Sequence, residues 1–205
     1  MNGITRKRGR PRILDREKGL NIAAQLFWKH GYEGTSISDL THAMNITAPS
    51  LYSTFGSKEE LYQQAIDYHI DQDTQARLAL LQKEDLSAYE AVKLYLYATA
   101  DSMTNPDKPR GCMISTAVLQ HAEENESVAQ LVAVRRNNAI QLMKSRLNRA
   151  IQQNELASDT DTESLARFYL AVVQGMSAQA CDGACNLRLK GLIDVALNAW
   201  PHHKF

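Results

Sequence analysis

Two stretches of this 205-residue chain carry side chains suited to gripping phosphates and base edges. Residues 8–12 read Arg8-Gly9-Arg10-Pro11-Arg12. Glycine lets a backbone approach a surface closely, proline keeps it extended, and arginine seeks the negative potential of a narrow minor groove. Residues 47–50 read Thr47-Ala48-Pro49-Ser50, small side chains with hydroxyls at both flanks. At the start of a helix they leave it thin enough to enter a major groove about 12 Å wide. Pro49 suits a first helical turn, where its missing amide costs nothing. On such a helix Tyr52 and Thr54 are expected to project sideways toward phosphates. The chemistry implied is non-covalent: charge neutralisation, methyl contact and hydrogen bonding.

Bulk composition hides this. Lys+Arg and Asp+Glu are 23 each, so the net charge is zero. Residues 1–18, however, hold seven basic and two acidic side chains, an excess of five positive charges offset by the remaining 187 residues. A cationic arm precedes an acidic body. With 44% apolar and 22% charged residues the composition is that of an ordinary globular protein, not a disordered one. The longest charge-free apolar stretch, residues 168–181, has 14 residues including Gln174, Ser177 and Gln179. It is too short and too polar to span a bilayer, so no membrane partner is expected. The basic N-terminus lacks the apolar run of a secretory signal. Three cysteines (Cys112, Cys181, Cys185) make no disulfide scaffold, which points to reduced thiols and a cytoplasmic location.

The elements that must position these residues are all helical. No proline falls within 50–105 or 112–200, and the apolar spacing there is 3.6 residues. Five Ser/Thr-x-x-acid-or-Gln boxes mark helix starts: Ser36 to Asp39, Ser57 to Glu60, Ser87 to Glu90, Ser127 to Gln130 and Thr160 to Glu163. The first helix is expected to start after Asp15 and stop at His30, before Gly31. Helices then follow at 36–44, 48–55, 57–83, 87–103, 112–124, 127–154, 160–182 and 186–199, about nine in all. The organisation predicted is a basic arm at 1–14, a three-helix domain at 15–56 and a larger bundle at 57–205. Thr104–Gly111 is the one obvious long loop.

Residues 36–55, two short helices around Asn45-Ile46-Thr47, fit a helix-turn-helix. By spacing alone they fit a helical hairpin equally well. The arm, which resembles the core of an AT-hook, favours the first reading. Residues 13–62 also resemble the N-terminal domain of the TetR/AcrR family of bacterial transcriptional regulators. The resemblance rests on Ala24-Gln25-Leu26-Phe27, His30-Gly31-Tyr32, Thr35-Ser36-Ile37, Leu40 and the run from Ser50 to Tyr62, Ser-Leu-Tyr-Ser-Thr-Phe-Gly-Ser-Lys-Glu-Glu-Leu-Tyr. It implies that Thr35 and Ser36 open the second helix onto a phosphate. It likewise implies that Thr47, Ala48, Pro49 and Ser50 face base edges and that Tyr52 and Lys58 clamp the backbone. Thr54 stands where many relatives place His or Tyr.

The resemblance makes the rest of the chain a ligand-binding and dimerisation domain. A short recognition helix reads few base pairs, so a homodimer on palindromic double-stranded DNA is the economical arrangement. Leu165, Phe168, Ala171, Val172, Gly175, Met176 and Ala178 are candidates for the dimer seam. Tyr95, Tyr97, Met103, Cys112, Met113, Thr116, Asn137, Phe168 and Met176 are candidates for a pocket holding an unknown small-molecule effector. Cys112, expected at a helix start beside Arg110, is a candidate redox or electrophile sensor. Cys181 and Cys185 with His202-His203 make only a weak soft-metal set, and no metal or cofactor is assigned. No P-loop, dinucleotide fingerprint, Gly-x-Ser-x-Gly elbow or His-Glu-x-x-His occurs, so no catalytic residue is assigned. The expected function is a ligand-released repressor. The rivals are a thiol-sensing regulator and, from another class, a helical interaction module that leaves DNA alone.

Overall fold

A computed structural model describes residues 15–69, 74–115, 117 and 121–201. Among them the chain is all-α: α1 (Arg16–His30), α2 (Ile37–Met44), α3 (Ala48–Phe55), α4 (Lys58–His69), α5 (Gln75–Gln82), α6 (Ala88–Met103), α7 (Glu126–Gln152), α8 (Thr162–Cys181) and α9 (Asn186–Leu197). A 3-10 turn at Glu123–Asn125 leads into α7. Arg8, Arg10 and Arg12 of the arm, Thr116, His202 and His203 lie outside the described residues.

Local chemistry sets the ends of α1. The Asp15 carboxylate accepts from the Glu17 and Lys18 amides, and Gly31, at φ +74°, donates to the Phe27 carbonyl at 2.9 Å. Leu20, Ala23, Ala24 and Phe27 then form one buried stripe. They pack on Leu40 of α2, Leu51 and Phe55 of α3, and Leu61, Tyr62 and Ile66 of α4. The Phe27 and Tyr62 rings meet edge to face at 4.9 Å. The first core therefore runs past residue 56 and takes in α4. Gln64 clasps the unit: its amide donates to the Phe55 carbonyl at 2.8 Å, while its oxygen accepts from Arg16. The second core lies among α5–α9, around Leu96, Met143, Leu147, Tyr169 and Ile193.

Three expectations need correction. The single helix over 57–83 resolves into α4 and α5, with residues 70–73 outside the described set. The helix over 112–124 does not form among the described residues, where Cys112–Ser115 run through turns. Its polar backbone is taken up elsewhere: the Cys112 amide donates to Ser177 Oγ at 2.9 Å, and the Ala117 carbonyl accepts from Arg136 at 2.8 Å. Of the five boxes, those at Ser36, Ser57 and Ser87 close. Ser127 sits inside α7, and Asp161 replaces Thr160 as the cap of α8, accepting from the Ser164 amide at 3.0 Å. A carboxylate is at least as good an N-cap as a threonine hydroxyl. No helix among the described residues is long and apolar enough to cross a membrane.

Candidate nucleic-acid interface

The turn between α2 and α3 is built by Asn45, whose φ of +53° puts it in the left-handed region. Asparagine adopts that conformation more readily than most residues. Ile46 then donates to the Thr41 carbonyl at 3.0 Å, and the chain re-enters helix at Ala48. Leu51 and Phe55 are buried and fix the roll of α3. The opposite face is left outward: Thr47, Pro49, Ser50 and Tyr52 are exposed, and Ala48 is half-buried between them. Thr47 caps α3 by backbone alone, so its hydroxyl is not spent on the helix. The first turn of α3 holds no carboxylate, and its helix dipole favours a negative partner.

Ser36 caps α2, exchanging bonds with Asp39, and remains exposed. Those bonds from Ser36 hold the Asp39 carboxyl below its ordinary range. Thr35 departs from expectation. It is buried at 1% exposure, and its hydroxyl donates to the Gly31 carbonyl at 2.7 Å. That side chain ties the turn after α1 and is turned away from any phosphate. Thr54 is half-buried and donates to the Ser50 carbonyl at 2.8 Å. Lys58 lies over the Tyr32 ring, 4.3 Å from its centroid. Burial lowers the Lys58 pKa, and Glu33 opposes that shift. Tyr32 as a platform, and Glu33 beside it, were not singled out by the sequence. Glu33 accepts from the Ala122 amide and from Asn125 Nδ2, both at 3.0 Å, and so latches the α1–α2 turn to the start of α7.

The pocket candidates do not converge. Met103, Met113 and Met176 are buried packing residues at 2%, 3% and 0% exposure. Asn137 and Phe168 are exposed, and Tyr97 turns outward to donate to Asp194 of α9. Among the described candidates, Tyr95 and Cys112 line a cleft of about 80 Å³ between α5, α6, α7 and α8, and Asn137 lines an adjoining hollow that shares Arg136, Ile140, Leu170 and Gln174 with it. Arg77, Arg135, Arg136, Leu170, Val173 and Gln174 also line the cleft. Cys112 does not begin a helix, and Arg110 spends its guanidinium on the Ala180 and Ala184 carbonyls. The dipole and Arg110 reasons for a reactive thiol are therefore absent. Burial raises the Cys181 thiol pKa, with Asp182 adding to the effect. Among the described residues no group of three His, Cys, Asp or Glu side chains is placed to hold a metal.

The seam candidates separate by helical phase. Phe168, Ala171 and Ala178 are exposed, and Leu165, Val172 and Gly175 are half-buried along the outer side of α8. Met176 faces the subunit's own core and leaves the set. Leu187 and Val195 of α9 are also exposed, at 79% and 70%.

Comparisons with known proteins agree with this arrangement. Residues 20–65 match the profile "Bacterial regulatory proteins, tetR family", and residues 88–181 match "Tetracyclin repressor-like, C-terminal domain". The chain belongs to the TetR family of bacterial transcriptional regulators. These are regulators rather than enzymes. The TetR-family repressor ComR of Escherichia coli is 32% identical, over 97% of this chain and 94% of its own length. The uncharacterized regulator YezE of Bacillus subtilis is 27% identical over 93% of this chain and 98% of its own. A cysteine mutant of the TetR-family regulator CifR, solved with 26-base-pair operator DNA, superposes with a TM-score of 0.90. It is 41% identical and covers 94% of this chain and 100% of its own.

Proposed function

We propose that this TetR-family chain acts in the cytoplasm as a homodimeric repressor, released from a palindromic operator by a small-molecule effector. The observation that carries the reading is the outward face of α3, whose exposed hydroxyls and free helix N-terminus stand without a carboxylate. Thr47, Ala48, Pro49 and Ser50 face base edges; Ser36, Tyr52 and Lys58 hold phosphates; Arg8, Arg10 and Arg12 follow the minor groove. With Ala48 and Pro49 at the tip, selectivity leans on thymine methyl contact and on DNA shape. Two copies pair through the outer faces of α8 and α9, setting their α3 helices about 34–36 Å apart. The CifR complex, whose partner is operator DNA, supports the choice of duplex DNA as partner. The test is a gel shift at moderate salt after selecting bound fragments from genomic DNA. A retarded band that survives non-specific competitor is expected, and its absence overturns the proposal. Deleting residues 1–12 is expected to weaken binding and flatten its salt dependence, because fewer phosphates are neutralised.

One observation favours a second reading. Cys112 is half-buried and lines the cleft, where a bound electrophile would meet its thiol. Cys112→Ser is then expected to abolish release by electrophiles while sparing operator binding. An intact response excludes it.

A further inference from the structure

The cleft between α5, α6, α7 and α8 carries three guanidinium groups, from Arg77, Arg135 and Arg136, and no carboxylate among its described lining residues. Arg135 is paired with Asp67 of α4, yet its Nε is buried with no hydrogen-bond partner among the described residues. Arg136 donates from Nη1 to two carbonyl oxygens, those of Ala117 at 2.8 Å and Ile114 at 3.3 Å. Carbonyls satisfy a donor but do not neutralise a charge. A desolvated cation without a counter-charge is costly, and an anion entering the cleft removes that cost. Burial lowers the Arg136 pKa, in keeping with that cost. On the other side Leu170, Val173 and Ile140 supply an apolar wall.

We propose that the effector is a small carboxylate with an apolar tail. Its carboxylate is held by Arg136 and Arg135, and its tail lies against Ile140, Leu170 and Val173. A guanidinium fork matches a carboxylate in plane and charge better than it matches a neutral oxygen. The same geometry supplies the regulation. Arg135 of α7 is the ion-pair partner of Asp67 near the far end of α4, the helix that carries the DNA-binding unit. An incoming carboxylate competes with Asp67 for Arg135, so occupancy and release of α4 are one exchange of anions. This inference rests on the reading of the chain as an effector-controlled regulator.

The experiment uses the full-length protein and its selected operator duplex, with hexanoate and its uncharged analogue hexanamide as probes. Binding is followed by calorimetry and operator release by fluorescence anisotropy. Hexanoate is expected to bind at least about tenfold more tightly than hexanamide and to lower operator affinity. Arg136→Met is expected to erase the difference between the two probes. Asp67→Asn, at a half-exposed position, is expected to tighten hexanoate binding several-fold by removing the internal competitor. Equal affinity for the two probes, or binding of neither, overturns the proposal while operator binding leaves the regulator reading intact. Loss of operator binding in the absence of any probe overturns that reading itself. Asp71 and Asp73 lie outside the described residues; hexanoate that binds only the Asp71→Asn/Asp73→Asn variant shows an internal carboxylate in the cleft and also overturns the proposal.

Discussion

In the DNA-binding unit, apart from the Gln64–Arg16 clasp and the Glu33 latch, side-chain hydroxyls bond close to home. Ser36 meets Asp39, Thr41 donates to the Ile37 carbonyl at 2.9 Å, and Thr54 donates to Ser50. In the body, arginines bridge remote segments. Arg146 reaches the Leu86 carbonyl 60 residues away, Arg149 the Leu81 carbonyl 68 away and Arg110 the Ala180 carbonyl 70 away. Each arginine satisfies carbonyls near a helix end or in a connecting segment. Short-range hydroxyl caps dominate the side-chain bonds of the small unit, whereas arginine cross-links between distant segments recur in the body.

The largest expected effect breaks the body's outer face. Ala171→Glu places a charge in the proposed seam at an exposed position that the subunit's own core does not use. Sedimentation is expected to show monomers, with operator binding lost at concentrations where the natural chain saturates. Next is Arg146→Ala, which removes a guanidinium only 2% exposed that bonds to Leu86 and pairs with Glu155 at 3.5 Å. Urea unfolding is expected to show a loss of about 3 kcal/mol, since the truncation empties a buried volume and leaves the Leu86 carbonyl without its donor. Ser36→Ala removes a local cap and is expected to cost only about 1 kcal/mol in the same assay. If the two losses prove equal, the contrast between cross-linked body and self-capped unit fails.

The smallest effect concerns the latch between the two regions. The Ala122 amide, followed by Asn125, holds the Glu33 carboxyl below its ordinary range. A depressed carboxyl contributes its coupling in full above the unfolded value and loses it as pH falls through the folded one. Protection of the Ala122 amide against hydrogen exchange, taken relative to the intrinsic rate at each pH, is therefore expected to fall on acidification, below the ordinary carboxylate range. In Glu33→Gln that pH dependence is expected to disappear.

The same contrast explains what could be read in advance. The outward residues of α3 followed from spacing, because Leu51 and Phe55 fix the roll of an eight-residue helix within the helix itself. Thr35 escaped, since its hydroxyl is drawn inward by Gly31, a contact set by how the turn closes. The cleft was harder. Tyr95 and Cys112 were named, but Arg135 and Arg136 were not, because two adjacent arginines on a long helix carry no spacing that marks them as turned inward. Only the packing of α7 against α4 and the 111–117 segment turns them inward. Met176 shows the same limit: its apolar character was legible, and which side of α8 it occupies was not.

Gln64 has a mechanical consequence. By joining Phe55 at the end of α3 to Arg16 at the start of α1, it makes the reading unit a fixed attachment at one end of α4. A helix of 12 residues is about 18 Å long at 1.5 Å per residue. Pivoting such a rod by about 10° sweeps its tip through about 3 Å, close to the 3.4 Å rise of one base pair. With two such rods, a small angular change at Asp67 is geared up into a mismatch of about a base-pair step at each half-site. Selectivity for the phasing of DNA and sensitivity to an effector are then set by the same lever length.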